Sequence, residues 1–349
     1  MTCMHPRRVR ASRPSGACAI PTSHERTKNM ETHSRPRRTW ATLAVLAIAA
    51  AGAACGGSPE PQSGTPATTG GHDGKIIVSG ASGQLGRLVI DDLLARGVPA
   101  SDLILVSRTP EALEEYAQLG ASTRFGDFAQ PESLPEAFAG GTRMLLISIG
   151  FGDIPRPQAH KNAIDAAVAA GVEHIAYTSY VAISRGDTEG LAADHYQTEQ
   201  ALKESGVSWT MLRNSIYSNG QLQTAAKMLA DGRAIVPAEE HPIGYVTRED
   251  CAAAAAAVLT TPGHENMAYD ITGPELIGVR EIAAAATAVT GKPIELVPAK
   301  PGEEEAPRAF GGPGISVVSG DVEALTGRPP TSLRELFETN KDQLLAAAG

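Results

Sequence analysis

The segment Lys75–Gly86 joins a short β-branched run to a glycine-rich turn, and an apolar helical segment, 85–94, follows. A glycine turn between a strand and a helix lets the backbone approach a pyrophosphate, and the helix offers free N–H groups and its positive dipole end. A second apolar run, 103–106, ends in Ser107-Arg108. This order predicts a nucleotide-binding βαβ unit. We expect the cofactor phosphates to contact the turn and the first helical residues, Gly80, Ser82, Gly83, Gln84, Leu85 and Gly86.

From residue 75 onward, apolar strands alternate with helical segments, which predicts a parallel sheet with crossover helices. Strands are expected near 75–79, 103–106, 122–125, 143–148, 173–178 and 207–212. Helices are expected near 84–96, 110–118, 132–138, 157–170 and 193–205. The predicted fold class is therefore α/β, a doubly wound parallel (Rossmann) sheet over residues 75–214.

Residues 215–349 contain mixed elements and are expected to form a small C-terminal α+β part that packs beside the sheet and shapes a substrate pocket. Strand-like segments are expected at 234–236, 242–246 and 269–272. Helices are expected at 248–259, 279–290 and 333–348, and a Gly-, Pro- and Glu-rich loop at 300–320.

Charge and cysteine content narrow the choice of partners. A net charge of −9 and an aromatic content of 4% disfavour a nucleic-acid partner, because neither a basic patch nor a stacking surface is available. Cys251 is the single cysteine after residue 74, without a C-x-x-C or Cys/His cluster, so no metal site and no disulfide framework is expected there. A small-molecule substrate is the expected partner.

The first 74 residues differ from the rest of the chain. Residues 30–55 contain a basic cluster at 35–39 and an alanine-rich run that ends at Cys55. This is typical of a lipoprotein-type export signal with Cys55 as the lipidated residue. Residues 1–29 would then lie upstream of the true start. Residues 56–74, rich in Gly, Pro, Ser and Thr, predict a flexible linker.

This leader predicts a location at the bacterial cell envelope, where the chain would touch the membrane only through a lipid anchor. Arg37-Arg38 followed by Thr39-Trp40 is similar to a twin-arginine export signal. Two alternatives stay open: an ordinary signal peptide, because Gly52 replaces the leucine usual three residues before the cysteine, and a mis-called leader on a cytoplasmic protein.

Seven ordered segments together resemble the NmrA-like atypical short-chain dehydrogenases, and within them the type 2 NAD(P)H:quinone oxidoreductases. They are Gly80–Gly86, Ser107–Pro110, Gly126-Asp127, Leu145–Ser148, Ala176–Ser179, His195–Glu199 and Leu212–Asn214. The resemblance covers roughly residues 75–295, together with Leu325–Pro330. It implies a Rossmann enzyme with one nicotinamide cofactor and a quinone acceptor.

The resemblance also implies cofactor contacts after each strand. Arg108 stands where an NAD-preferring enzyme carries an acidic residue, so NADPH is the expected cofactor. NAD stays open, because Ala112 replaces a lysine frequent in the family, and Arg108 could instead be a solvated strand end. Asp127 is expected near the adenine or as a helix cap. Ser148 is expected near the nicotinamide or as a strand-end hydroxyl, and Thr178 and Ser179 complete the cofactor-binding set.

Catalysis in ordinary short-chain dehydrogenases needs a Tyr-x-x-x-Lys pair, and no tyrosine of this chain has a lysine four residues later. The matching position holds His195, which is expected to be either a proton donor or an inert surface residue. A quinone does not need that pair, because hydride transfer gives a stable hydroquinone anion. Asn214 and Tyr217, after the sixth strand, are expected to contact the acceptor, whereas Tyr177 is expected to pack.

Three functions follow, in order of preference. The first is an NAD(P)H-dependent oxidoreductase that reduces quinones by direct hydride transfer. The second is a non-catalytic NmrA-like sensor of NADP(H), which would also lack the Tyr-x-x-x-Lys pair. The third is an isomerase or epimerase of the extended family, which normally retains that pair.

Overall fold

The computed structural model describes residues 74–150, 152, 154–300 and 313–347. The segment 1–29, the export signal 30–55 with Cys55, and the linker 56–74 apart from Gly74 lie outside the described residues, as does 301–312 of the predicted loop.

Seven parallel strands form the central sheet in the order β3-β2-β1-β4-β5-β6-β8. Their bounds are β1 Lys75–Ser79, β2 Leu103–Ser107, β3 Ser122–Phe125, β4 Gly141–Leu146, β5 His174–Tyr180, β6 Ser208–Asn214 and β8 Met267–Ile271. Two further strands, β7 Arg233–Val236 and β9 Glu295–Pro298, pair in parallel in a separate small sheet. The predicted α/β class is confirmed.

The described α-helices are α1 Gln84–Ala95, α2 Glu114–Gln118, α3 Leu134–Phe138, α4 Arg156–Ala169, α5 Gly190–Glu204, α6 Gln221–Asp231, α7 Arg248–Thr260, α8 Val279–Thr290, α9 Asp321–Thr326, α10 Leu333–Thr339 and α11 Lys341–Ala347. None of the helices in these ranges has the length and apolar character needed to cross a membrane.

The strands are continuous apolar runs because the sheet is covered on both faces. In β1, Ile76 and Val78 point into a core shared with α1 and α7, whereas Ile77 points into a core shared with α3, α4 and α5. The same alternation runs through the central strands. Helices therefore flank both faces, which is the doubly wound arrangement.

Strand order reverses direction between β1 and β4, because the chain moves outward through β2 and β3 before it returns beside β1. In such sheets the loops on either side of the reversal separate at the carboxyl ends of the strands and leave a crevice. The glycine turn after β1 and the loop after β4 border this crevice. It is the expected place for a ligand.

The C-terminal part contributes β8 to the main sheet beside β6 and builds its own core from α6, α8, α10 and α11. The predicted strand at 242–246 forms only isolated bridges, because Ile243 pairs with Ile277 and Val246 pairs with Tyr217. The predicted closing helix is interrupted at Asn340, whose side-chain amide donates to the carbonyl of Leu336 and caps α10.

Asp250 lies fully buried at the start of α7 and bonds that helix to the chain near the C-terminus. Its carboxylate accepts hydrogen bonds from the Thr247 hydroxyl at 2.7 Å and from the Thr331 N–H at 2.8 Å. It also pairs with Arg328 at 2.6 Å. Arg328 and Thr331 are thereby held against the start of α7.

Candidate cofactor and acceptor site

The glycine turn after β1 is shaped by three glycines with different roles. Gly80 has φ of +63°, a left-handed conformation that L side chains rarely adopt. The Gly83 N–H donates to the Gly80 carbonyl at 3.0 Å and closes the turn. A Cβ on Gly86 would lie 2.5 Å from the Gly80 carbonyl oxygen and 2.8 Å from the Ala81 backbone. Helix α1 therefore begins directly against the turn.

The start of α1 is open to an anion. Gly83 at the N-cap supplies no capping side chain, and the first turn of the helix holds no acidic residue. The first N–H groups of a helix have no partner within it and carry the positive end of its dipole. The Ser82 hydroxyl lies 2.7 Å from the Ser107 hydroxyl, which ties the turn to the end of β2.

Arg108 follows β2 immediately, and its side chain is exposed. It makes no hydrogen bond or ion pair with any residue that the structure describes. The nearby Arg87 differs, because its guanidinium bonds to the Glu115 carboxylate and the Ala112 carbonyl. Arg108 therefore presents an uncommitted guanidinium beside the glycine turn.

Asp127, after β3, is engaged in its own turn. One carboxylate oxygen accepts from the Ala129 N–H at 3.0 Å, and the other accepts from the Gln130 amide at 3.3 Å. The Asp127 N–H donates to the Ser133 hydroxyl at 3.0 Å. The carboxylate thus closes its own turn and caps neither of the two helical segments that follow, and the half-buried side chain stays at the carboxyl edge of the sheet.

The end of β4 is joined to β5 through hydroxyl groups. The Ser148 N–H donates to the Thr178 Oγ1 at 2.8 Å, and the Thr178 hydroxyl donates to the Ser148 Oγ at 3.2 Å. Neither of these two bonds uses the Ser148 hydroxyl proton, which can therefore be donated to another group. Ser148 and Thr178, predicted separately, thus form one polar unit at the edge of the crevice.

Ser179 points away from that unit. Its hydroxyl donates to the fully buried Glu199 carboxylate at 2.7 Å. Arg213 donates to the same carboxylate through Nε and Nη2, both at 2.9 Å. Ser179 therefore belongs to a buried ion-pair network that joins α5 to β5 and β6.

His195 is not on the surface, so the expectation of an inert surface residue is wrong. It lies on the face of α5 that covers β5 and is 6% exposed, and its Nδ1 lies 2.8 Å from the Tyr177 hydroxyl. Burial, together with the nearby Arg156 guanidinium, lowers the pKa of His195 to about 3. The imidazole is therefore neutral near pH 7, and the structure does not support a charge change of His195 near neutrality.

A buried network around His195 was not anticipated from the sequence. The His160 Nδ1 lies 3.0 Å from the Thr198 hydroxyl, and its Nε2 accepts from the Ile149 N–H at 3.1 Å. The Arg156 Nε donates to the Ile149 carbonyl at 2.7 Å, and the same guanidinium pairs with Asp194 at 3.1 Å. The spacing of Arg156 and His160, one turn apart on α4, was the available signal.

Asn214 and Tyr217 lie together after β6. The Arg248 guanidinium stacks on the Tyr217 ring at 4.8 Å, and burial raises the pKa of the Tyr217 phenol. Buried oxygens of Asn214, Ser215 and Ser218 make no hydrogen bond with the described residues. Buried polar atoms normally have partners, so this loop has hydrogen-bonding capacity left for a ligand or water.

The residues at this edge fit a phosphorylated dinucleotide. The turn packs so closely at Gly86 that a Cβ would meet backbone, the helix start is open to an anion, and Arg108 offers a free guanidinium. Among the described residues, no group of three or more His, Cys, Asp or Glu side chains could hold a metal ion.

Residues 80–262 match a protein-family model described as NAD(P)H-binding. Quinone oxidoreductase 2 of Escherichia coli strain K12 is 39% identical over 221 residues, which are 63% of this chain and 76% of that protein. This chain belongs to the NAD(P)H-binding, NmrA-like family. It is assigned accordingly to the NAD(P)H-dependent oxidoreductases.

Solved structures of the family superpose on most of the described part. Triphenylmethane reductase of Citrobacter sp., complexed with NADP(H), has a TM-score of 0.69 and 34% identity, and the match covers 76% of this chain and 99% of that one. NADPH-dependent quinone oxidoreductase of Escherichia coli, complexed with NADPH, has a TM-score of 0.68 and 33% identity, with the same coverage. Both share the Rossmann-like fold of this NmrA-like chain.

Proposed function

We propose that this NmrA-like oxidoreductase reduces quinone-class acceptors with NADPH by direct hydride transfer. One observation carries the proposal: the histidines beside the β4 and β5 ends, His160 and His195, both have a pKa lowered to about 3 by burial. Both rings are therefore uncharged at neutral pH. An acceptor that takes a hydride without prior protonation suits such a site, and a quinone meets this requirement.

Residues of the chain divide into two sets around the crevice. The open start of α1 and the turn Gly80–Gly86 bind the phosphates, and Arg108 binds the 2′-phosphate that distinguishes NADPH from NADH. When bound, NADPH supplies the hydride. Ser148 orients the cofactor from the end of β4, with Thr178 holding the Ser148 hydroxyl in place.

The acceptor is oriented by groups that need not change protonation state. Asn214 has an unpartnered amide oxygen, and Tyr217 has a flat ring already stacked under Arg248. His195 offers a neutral imidazole. Placing a flat acceptor among such groups supplies much of the rate enhancement by orientation alone. The two named relatives, which by name act on a quinone and on triphenylmethane, are consistent with a flat conjugated acceptor.

A comparison of acceptors tests this proposal. We expect the purified chain to oxidise NADPH rapidly with tetramethyl-1,4-benzoquinone and slowly or not at all with cyclohexanone, measured by loss of NADPH absorbance. A ketone needs protonation as the hydride arrives, whereas the quinone does not. Equal rates with both acceptors would contradict the proposed acceptor class.

Arg108→Ala should lower the preference for NADPH over NADH about tenfold or more, because a charge-assisted pair with a phosphate contributes roughly 1.5–3 kcal/mol. Calorimetric titration of both cofactors into both proteins measures this preference. Arg108→Lys is the matched control, since it keeps the charge and loses the bidentate geometry, and it should fall between the two. Equal affinities for NADPH and NADH in the unmodified chain would overturn the assignment.

We also propose that the chain is exported and held at the bacterial envelope through lipid on Cys55. Several acyl chains on one cysteine make detachment negligible, whereas a single chain binds only marginally. Cys55→Ser should therefore move the protein from the membrane to the soluble fraction with its fold intact. Wild-type protein found in the cytoplasm with residues 31–54 attached would contradict export.

A further inference from the structure

We infer that Tyr177 and His160 are positioning residues that fix the proton of His195 on Nε2, so that His195 meets the acceptor as a hydrogen-bond donor. The use of that donor by an acceptor rests on the proposed function, whereas the tautomer itself follows from the hydrogen bonds of the chain alone.

The tautomer of His160 is set by a backbone hydrogen bond. The Ile149 N–H donates to His160 Nε2, so that nitrogen carries no proton. The proton of the neutral ring therefore lies on Nδ1 and points to the Thr198 hydroxyl oxygen at 3.0 Å. That oxygen can accept it, because Thr198 donates its own proton to the Asp194 carbonyl at 2.9 Å.

Through Tyr177, the tautomer of His160 determines the tautomer of His195. The Tyr177 hydroxyl lies 3.4 Å from His160 Nδ1 and 2.8 Å from His195 Nδ1. The first nitrogen already carries a proton and cannot accept another. The Thr198 hydroxyl also lies beside the Tyr177 phenol, but it already accepts from His160 Nδ1 and donates to the Asp194 carbonyl. The 2.8 Å contact therefore assigns the Tyr177 proton to His195 Nδ1, which leaves the His195 proton on Nε2.

The His195 Nε2–H is then available for a ligand. It makes no hydrogen bond with any residue in the described ranges. The imidazole contacts the rings of both Tyr177 and Tyr180, with centroid distances of 6.0 and 5.8 Å. A neutral donor held in one orientation can stabilise negative charge that develops on an acceptor oxygen during hydride transfer.

The network also joins His195 to the loop after β4. Both backbone polar groups of Ile149 are bound by side chains of α4, the N–H by His160 and the carbonyl by Arg156. Ser148, the predicted cofactor contact, is the preceding residue. The same buried hydrogen bonds therefore orient both the loop after β4, which contains Ser148, and the Nε2–H of His195.

Nitrogen-15 NMR of the full chain, labelled at histidine and kept at pH 7 without cofactor or acceptor, tests the inference. We expect His160 to be protonated on Nδ1 and His195 on Nε2, two opposite tautomers in one network. His160→Gln and His195→Gln assign the two signals. A His195 signal protonated on Nδ1 in the wild-type chain would overturn the inference without any further variant.

Tyr177→Phe supplies the second readout. We expect the His195 Nδ1 signal to move, because that nitrogen loses the hydrogen bond from the Tyr177 hydroxyl, and quinone turnover to fall about 3- to 10-fold with NADPH affinity unchanged. His174 is an internal control at the other end of β5: it donates from Nε2 to Thr210, which itself donates to the His264 carbonyl, so its signal should not move. An unchanged His195 signal in Tyr177→Phe would contradict the positioning role.

The proposed tautomer of His195 and the proposed reduction of quinones can each be contradicted without the other. The expected tautomers without quinone turnover would overturn the proposed function and leave the arrangement of His195 in place. Quinone turnover with His195 protonated on Nδ1 would overturn the role of Tyr177 and leave the reductase in place.

Discussion

Replacing Gly86 with alanine should weaken NADPH binding about a hundredfold, because two or three charge-assisted hydrogen bonds depend on where α1 begins. The added Cβ would lie 2.5 Å from the Gly80 carbonyl oxygen and 2.8 Å from the Ala81 backbone. Backbone cannot swing aside as a flexible side chain can, so the helix must move away from the turn. Overpacking of this kind lowers the free energy of unfolding by about 1–3 kcal/mol. Titration calorimetry and urea denaturation measure the two effects.

Gly83→Val is the matched control for the effect of Gly86→Ala on the free energy of unfolding. A Cβ on Gly83 meets only the Gly80 carbonyl oxygen, at 3.2 Å, and otherwise points into open space. The backbone at Gly83 is extended, with φ of −75°, so valine is tolerated there. We expect Gly83→Val to weaken NADPH and NADH alike, with little change in unfolding. If Gly86→Ala bound NADPH as tightly as the unmodified chain, close contact at Gly86 would not matter for the site.

Removing Arg213 should produce the largest loss of stability. Arg213→Met leaves the Glu199 carboxylate fully buried with only the Ser179 hydroxyl at 2.7 Å and Lys203 at 4.0 Å as partners. Breaking one half of a buried ion pair lowers the free energy of unfolding by about 3–5 kcal/mol, because the remaining charge stays uncompensated. Urea denaturation of the purified chain measures this loss.

The double variant Arg213→Met, Glu199→Met distinguishes the loss of the ion-pair attraction from the cost of leaving the Glu199 carboxylate buried and unpaired. We expect it to recover most of the stability that Arg213→Met loses, since no unpaired charge remains. Arg213→Lys should give an intermediate value, because lysine cannot reproduce the two parallel bonds. If Arg213→Met were as stable as the unmodified chain, the Glu199–Arg213 pair would have no structural role.

The sheet could be predicted because its strands are buried on both faces. Such strands are continuous apolar runs bounded by glycine turns, and the helices between them are amphipathic or alanine-rich, so the first six strands lie within about two residues of their expected bounds. The seventh, expected at 269–272, also lies within two residues of its bounds, but its place in the main sheet was not predicted. The segment Met267–Ile271 is short and partly exposed, and only its pairing with β6 shows that it extends the main sheet.

The glycine turn was predictable for a different reason. Its function depends on backbone geometry, since glycine adopts the positive φ at position 80 without the strain of a side chain and lacks the Cβ that would meet backbone at position 86. Local sequence therefore carries the information. The position of Arg108 could be predicted for the same reason, since it follows β2 directly in the sequence.

The environment of His195 could not be predicted, because it is created by residues distant in the sequence. Tyr177 on β5 and His160 on α4 meet His195 on α5 only when both helices pack on the same face of the sheet. The sequence showed that His195 and Glu199 share a helix face. It did not show that this face is buried, and burial is what removes the charge from the imidazole.

We propose that hydride passes directly from NADPH to a quinone without a flavin. The most direct measurement is the rate of NADPH oxidation with tetramethyl-1,4-benzoquinone under anaerobic stopped-flow conditions, on purified full-length chain whose absorbance spectrum shows no flavin. NADPH and NADPH deuterated at the transferred position of C4 are compared. We predict a rate well above the uncatalysed reaction and slower with deuterium. Tight NADPH binding without any rate above the uncatalysed reaction would contradict the account and favour an NADP(H) sensor.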